Sequence, residues 1–188
     1  MTLQPAGTEV SYAVTYLEMF EAPGWGYPHA PSGPPAALLK AETPPAWFFL
    51  ALYDAVGRDY VWEDAHDRDP GELAAWLSHP AVALHTLMSE GWPKGFFVLD
   101  GRAENEVDLA YFGLVPEAVG KGLGGFLLKT AIRMAWDLPD SRLLKVNTCT
   151  LDHPRALQMY QKHGFSPVRR ENRVRVLRRP RDLSRIPD

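Results

Sequence analysis

Apolar and polar residues along the chain follow two spacings, and each spacing predicts a different kind of element. Short runs rich in Val, Tyr, Phe and Leu predict strands over residues 8–19, 81–88, 95–100, 107–115, 143–149 and 174–177. Apolar residues three and four positions apart predict helices over 46–56, 70–77 and 126–138, and a fourth that ends before Gly164. This order of elements predicts an α/β or α+β sandwich with a mostly antiparallel sheet.

Two of the helices carry start signals. Asp69 precedes Pro70, and Glu72 lies in the first turn, so Asp69 is the expected N-cap. For the last helix the expected cap is Asp152 or His153, with a proline in its first turn.

Residues 21–45 form a different kind of segment. They contain seven prolines, which remove backbone donors and predict a loop. Because too few residues precede this segment to form a domain, we expect a single domain over residues 1–188, with the proline-rich loop (22–45) inside it.

Composition narrows the class of protein. With 46% apolar and 23% charged residues among 188, the chain has the make-up of a soluble globular protein. A net charge of −3 gives no reason to expect a nucleic-acid partner. Cys149 is the only cysteine, the start lacks a signal-peptide pattern, and the longest apolar run, 46–53, is too short to cross a membrane. These features predict a cytoplasmic protein with no membrane partner.

The glycine-rich segment after the strand at 107–115 carries most of the chemical information. Bare amide N–H groups at a helix N-terminus bind phosphate oxygens. A phosphate-loop NTPase would need Ser or Thr after Lys121, where Gly122 stands. A dinucleotide-binding fold would need an acidic residue at the end of the next strand, which ends in Asn-Thr-Cys at 147–149. The glycines of this segment are Gly120, Gly122, Gly124 and Gly125.

A third family accounts for more of the chain. The strand, the segment Val-Pro-Glu at 115–117, the glycine loop, the helix, the next strand and the stretch Ala-Leu-Gln-Met-Tyr-Gln-Lys-His-Gly-Phe at 156–165 follow in this order. Over residues 108–165 this arrangement resembles the GNAT superfamily of acyl-CoA N-acyltransferases. Two positions depart from the family pattern: Val119 replaces a usual Gln or Arg, and His153 replaces a frequent Asn.

The resemblance implies a GNAT-like fold, with a mixed, mostly antiparallel sheet of six or seven strands flanked by about four helices. It also implies acetyl-CoA as co-substrate, with its pantetheine arm beside the backbone of residues 112–115 and its pyrophosphate on the amides of 120–125. The implied cofactor-binding residues are Phe112, Leu114, Val115, Gly120, Lys121, Gly122, Leu123, Gly124, Gly125, His153, Ala156 and Tyr160.

The same resemblance implies an N-acetyltransferase whose amine acceptor, a small molecule or a peptide, attacks acetyl-CoA directly in a ternary complex. Tyr160 is the implied acid for the departing thiolate, since a thiol titrates near ~8.5 and a phenol near ~10. The alternative for Tyr160 is a core aromatic. Asp108 is the implied base for the amine, with Glu106 on the same strand face or a water relay as alternatives.

The segment between the first two helices, 54–69, is expected to cover the acceptor. Its acidic and aromatic residues suit a cationic amine, through charge attraction and contact with ring faces. The alternative is a solvated loop whose aromatic residues cover the core. The predicted substrate-binding residues are Tyr60, Trp62, Asp64 and Asp67.

Other features receive structural interpretations. The arginines after residue 168 are expected on the solvated face of a strand, and Cys149 as a small core residue. No cysteine or acidic residue stands at metal-ligand spacing from His79 or His85, so no metal is expected. The sequence leaves open the acceptor, the acyl length, a homodimer, and a non-catalytic acyl-CoA-binding or sensing role for the same fold.

Overall fold

The computed structural model describes residues 3–186 and contains two sheets. The strands are β1 (Leu3–Gln4), β2 (Glu9–Met19), β3 (Ala36–Ala41), β4 (Val82–Ser89), β5 (Trp92–Asp100), β6 (Glu106–Leu114), β7 (Leu143–Cys149), β8 (Ser166–Val176) and β9 (Arg181–Asp182). The main sheet has seven strands in the order β3-β4-β5-β6-β7-β2-β8, and β1 pairs with β9 in a small second sheet. Among the described strands, β6 and β7 form the one parallel pair.

Helices cover both faces of the main sheet. They are α1 (Ala46–Gly57), α2 (Pro70–Leu77), α3 (Leu123–Trp136) and α4 (Ala156–Lys162). Successive side chains of β5 alternate between two cores, as strand geometry requires. Phe97 and Leu99 pack with α3 and α4, whereas Phe96 and Val98 pack with α1 and α2. The sheet therefore separates an α3/α4 face from an α1/α2 face.

The architecture confirms the predicted fold class, and local signals placed several elements correctly. Helix α2 begins and ends as predicted, because the Asp69 carboxylate accepts hydrogen bonds from the amides of Gly71 (2.9 Å) and Glu72 (3.0 Å). Strand β7 also has the predicted bounds.

Strand β3 corrects the prediction of a continuous loop over 21–45. It pairs antiparallel with β4 along its whole length, from Ala36 opposite Ser89 to Ala41 opposite Leu84. Its sequence, Ala-Ala-Leu-Leu-Lys-Ala, contains no β-branched residue. Its extended conformation therefore depends on pairing with β4 and not on local propensity.

Two further predictions near the C-terminus were wrong. Helix α4 begins at Ala156 after Arg155, and in the described chain no side chain caps it. Asp152 instead binds the end of β7, and His153 Nδ1 accepts a hydrogen bond from the Arg155 amide at 3.1 Å. Strand β8 begins at residue 166 and not at 174. The prediction missed its first half because many exposed charged residues there replace the alternation of apolar and polar residues that is typical of a strand.

Candidate active site

The parallel strands β6 and β7 separate toward their C-terminal ends. They pair only where Glu106–Asp108 faces Leu143–Lys145. Beyond Asp108 and Lys145 the two strands do not pair, so within the described chain the edge of residues 109–114 that faces β7 is open. A cavity of about 640 Å³ lies at this opening and is lined from both faces of the sheet.

A β-bulge in β6 marks the place where the strands separate. Val98 of β5 faces Tyr111, but Leu99 faces Leu109, so Ala110 is an extra residue. A bulge bends a strand and increases its local twist. After the bulge, Phe112 packs on the α3/α4 core, whereas Tyr111 packs on the α1/α2 core. The strand therefore presents aromatic side chains on both sides of the opening.

The glycine loop lies at one end of the cavity. Gly120 (φ 81°) and Gly122 (φ 76°) adopt the left-handed conformation that favours glycine. A Cβ atom at either position would meet no described atom within 4 Å, so the backbone faces open space. In the part of the chain that the structure describes, no side chain caps α3 and its first turn carries no acidic residue. These first amides are therefore free to bind an anion.

Tyr160 projects from α4 into the cavity wall. Its side chain is 5% exposed, and its ring packs edge-on against Phe112 (centroids 6.2 Å apart) and Phe165 (5.7 Å). Burial raises the pKa of the Tyr160 phenol well above its usual value, so the group stays protonated. The ring is thus part of the core, while the residue also lines the cavity.

The cavity brings together many of the residues predicted to bind the cofactor. Those that line it are Phe112, Leu114, Gly120, Gly124, His153, Ala156 and Tyr160. Lys121, Gly122, Leu123 and Gly125 belong to the adjoining loop and first turn, outside the lining itself.

Val115 was placed wrongly. Its side chain is buried in the α1/α2 core, and its amide donates to the Lys94 carbonyl at 3.0 Å. This amide therefore has no free hydrogen to offer a ligand.

Asp108 lies in a second cavity of about 450 Å³, and the structure does not bring it beside Tyr160. The two cavities share Tyr16, Val146 and Asn147. Burial, reinforced by the negative charge of Asp100, raises the pKa of Asp108 to about 6, while Lys145 opposes this shift.

Glu106, the alternative base, also lines the second cavity. Its carboxylate forms an ion pair with Lys145 on the neighbouring strand. The raised pKa of Asp108 suits that carboxyl to accept a proton near neutral pH.

The acidic segment between α1 and α2 does not present free carboxylates to the cavity. Asp64 lines the cavity but forms an ion pair with Arg175. Asp67 lies outside the lining and binds the Arg178 guanidinium through both oxygens, which lowers the pKa of the Asp67 carboxyl. The prediction that these two acids attract a cationic acceptor is corrected, because arginines of the C-terminal segment neutralise them.

Trp62 and Tyr60 line the cavity, and their binding of the acceptor stays a prediction. The Trp62 indole N–H donates to Asp152 Oδ1 at 3.0 Å, and Asp152 Oδ2 accepts from the Thr148 hydroxyl (2.8 Å) and the Cys149 amide (2.7 Å). One half-buried carboxylate thus ties the segment between α1 and α2 to the end of β7.

The sequence interpretation missed several residues of the cavity wall, of which the most informative are Tyr12, Tyr16, Tyr53, Tyr111, Arg173 and Arg175. Tyr12 and Tyr16 are four residues apart in one strand, which places both side chains on the same face of the sheet. This spacing is the sequence feature from which both could have been predicted to line one wall. Cys149 also lines the wall, and burial raises the pKa of its thiol to about 11, so it is a poor nucleophile.

Two further observations concern residues 3–186. No helix in this range has the length and apolar character to span a membrane. The same residues contain no group of three or more His, Cys, Asp or Glu side chains arranged to hold a metal ion.

A mixed sheet that opens between two parallel strands, beside a glycine-rich helix start, is the arrangement that the sequence resemblance implies. The chain belongs to the GNAT acetyltransferase family: the family model described as "Acetyltransferase (GNAT) family" matches residues 39–165. Membership confirms the resemblance found in the sequence and implies an acyltransferase. A search of curated proteins finds no match.

Solved structures share the fold at low identity. A tandem GNAT protein from the clavulanic acid biosynthesis pathway gives a TM-score of 0.62 at 14% identity, covering 87% of this chain and 53% of that one. A GCN5-related N-acetyltransferase from Sphaerobacter thermophilus gives 0.58 at 16% identity, covering 97% and 55%. An aminoglycoside N-acetyltransferase in complex with CoA gives 0.55 at 16% identity, covering 74% and 94%.

Identities this low show the fold alone. The chain spans 53% to 63% of the length of the first three solved structures that it matches.

Proposed function

We propose that the protein is an N-acetyltransferase that transfers the acetyl group of acetyl-CoA to a primary amine by direct attack in a ternary complex. The observation that carries this proposal is the opening between β6 and β7, which runs from the glycine loop to Tyr160. Acetyl-CoA carries a thioester, a long arm with amide groups and a diphosphate, and these parts match Tyr160, the open strand edge and the glycine loop, respectively. The unpaired strand edge suits the arm, and the bare helix start suits the diphosphate.

The residues present fit acyl-CoA. Gly120 and Gly122 leave their amides uncovered, where a Cβ would stand between the backbone and a ligand. His153 lines the same cavity, and burial lowers the pKa of its imidazole. Because Nδ1 already accepts from the Arg155 amide, the neutral imidazole has its Nε2–H to donate to a ligand in place of the asparagine usual in the family.

The reaction proceeds by attack of the neutral amine nitrogen on the thioester carbonyl carbon. The new N–C bond forms, the carbonyl oxygen becomes an oxyanion, and backbone N–H groups near residues 112–114 stabilise it. Collapse breaks the C–S bond, and the thiolate takes the phenolic proton of Tyr160. Solvent later returns a proton to Tyr160. Burial keeps this phenol protonated until the thiolate forms beside it, and the same raised pKa makes it a weaker acid than an exposed tyrosine.

The amine nitrogen must also lose a proton. Asp108 is the base, and because it lies in the neighbouring cavity it acts through water at the junction formed by Tyr16 and Asn147. A carboxyl whose pKa is raised to about 6 is mostly ionised at pH 7 and is a stronger base than an ordinary aspartate.

Release of free CoA thiol from acetyl-CoA, measured over a library of amines, tests the proposal. Tyr160→Phe keeps the ring but removes the acid, and we expect turnover to fall by about 10²-fold or more with CoA affinity unchanged by calorimetry. Tyr27→Phe is the matched control, because Tyr27 is exposed and bonds Asp137 away from the cavity. CoA binding without thiol release would instead indicate a sensing domain.

A further inference from the structure

On the α1/α2 face of the sheet, aromatic rings dominate the wall of the active-site cavity. They come from β2, α1, the segment after α1, and β6, so four separate parts of the chain converge. We call them the aromatic wall, and its members are Tyr12, Tyr16, Tyr53, Tyr60, Trp62 and Tyr111.

The centre of the aromatic wall is held in a fixed arrangement. The Trp62 ring lies 5.3 Å from Tyr53 and 5.9 Å from Tyr111, measured between centroids, and Tyr53 meets Tyr111 nearly edge-on at 5.6 Å. Trp62 is anchored by Asp152, and the Tyr53 hydroxyl accepts from the Ala65 amide at 3.3 Å. A wall ordered in advance binds a flat ligand without a large entropic cost.

Two carboxylates beside the aromatic wall are already paired with arginines. Asp64 is bound by Arg175, and Glu171 is bound by Arg173 at 2.7 Å and by Arg169. Guanidinium groups also lie over two of the rings, Arg169 over Tyr16 at 3.8 Å and Arg175 over Tyr12 at 5.6 Å. An incoming polycation would find these ring faces occupied by positive charge, so the wall disfavours it.

Three phenols of the wall add no charge of their own. Burial raises the pKa of Tyr53, Tyr60 and Tyr111, so all three stay neutral at physiological pH. Apart from the two rings that the arginines cover, the cavity therefore offers flat aromatic surface and uncharged hydroxyl groups.

We infer that the acceptor carries its primary amine on an aromatic ring system, as in an arylalkylamine, and that its ring packs on the aromatic wall while its nitrogen reaches the thioester. This inference rests on the proposed N-acetyltransferase function. Nitrogen forms a bond to the acetyl carbon and loses one proton, the C–S bond breaks, and sulfur gains one proton. Ring pairing with several aromatic side chains supplies the selectivity.

A matched set of amines tests the inference through CoA thiol release. 2-Phenylethylamine and 2-cyclohexylethylamine share the ethylamine group, but only the phenyl compound has a flat aromatic ring. Spermidine tests the polycation alternative. We expect kcat/KM for the phenyl compound to exceed that for the cyclohexyl compound by about tenfold, with spermidine poorer than both.

Variants of the wall link the preference to the structure. Tyr60→Leu is expected to reduce the phenyl-to-cyclohexyl ratio severalfold and Tyr60→Phe, which keeps the ring, to preserve it, with the Kd of acetyl-CoA unchanged in both. Trp47→Leu, at an aromatic residue that is 68% exposed and outside the cavity, should leave the ratio unchanged.

The possible outcomes separate the two proposals. Equal or better turnover of the cyclohexyl compound or of spermidine overturns the aromatic acceptor while leaving N-acetyl transfer intact. A failure to release thiol with any amine, in protein that still binds acetyl-CoA, overturns the proposed function and the inference with it.

Discussion

Replacing Asp108 by asparagine should make the protein more stable and less active, and both effects follow from one buried carboxyl. Its pKa is raised from 3.8 to about 6, chiefly by burial. A carboxyl whose folded pKa exceeds the unfolded one destabilises the fold when it is ionised. The penalty is absent well below pH 3.8, grows between pH 3.8 and about 6, and is complete above pH 6.

The size of the effect follows from the shift. At about 1.36 kcal/mol per pKa unit, ionised Asp108 costs the fold up to about 3 kcal/mol, and partial exposure of the side chain lowers that value. The amide of asparagine carries no charge to desolvate. Relative to the wild type, Asp108→Asn should therefore gain stability at pH 8 and show little of this gain at pH 4.

Urea unfolding at the two pH values measures this difference, and amine acetylation measures the other effect. Wild-type kcat/KM should rise with pH through about 6. The variant should lack this rise, and its activity should be about 10²-fold lower. Asp140→Asn is the control, since Asp140 is exposed and its positive φ of 59° is one that asparagine tolerates. An equal change in stability at pH 4 and pH 8 would refute the account of Asp108.

Two other substitutions test separate parts of the account. Gly122→Ala places a side chain at a φ of 76° beside the start of α3, and calorimetry should show acetyl-CoA affinity reduced by tenfold or more. Gly7→Ala, at a φ of 85° between β1 and β2 and outside the cavity lining, should match wild-type affinity. Asp67→Asn should leave the KM of the amine unchanged in steady-state kinetics, because Asp67 is paired with Arg178 outside the cavity; a raised KM would restore a role for Asp67 in acceptor binding.

The parts of the fold that local chemistry specifies could be predicted from the sequence. Helix α2 has its own cap in Asp69, and α3 its own amphipathic stripe, so neither needed tertiary information. Strand β3 could not be found this way, because its extended form results from pairing with β4. The bulge at Ala110 could not be predicted from the sequence either, since it is defined by the pairing register between β5 and β6.

The residues of the active site can likewise be divided into those that local sequence predicts and those that depend on tertiary contacts. The glycine loop and Tyr160 lie in one continuous stretch whose order carries the family resemblance, and both flank the cavity. The acidic segment misled the interpretation because the arginines that neutralise Asp64 and Asp67 are 111 residues away along the chain. The tyrosines of β2 were missed because a tyrosine in a strand signals half-burial equally in a wall and in a core.

Amide hydrogen exchange with and without acetyl-CoA tests the central claim most directly, because the claim concerns backbone N–H groups. The account predicts that acetyl-CoA slows exchange within residues 110–114 of β6 and at the glycine loop and first turn of α3, residues 120–126. The outer edge strand β3 should exchange at the same rate in both states. Binding of acetyl-CoA with protection confined to other segments would contradict the account.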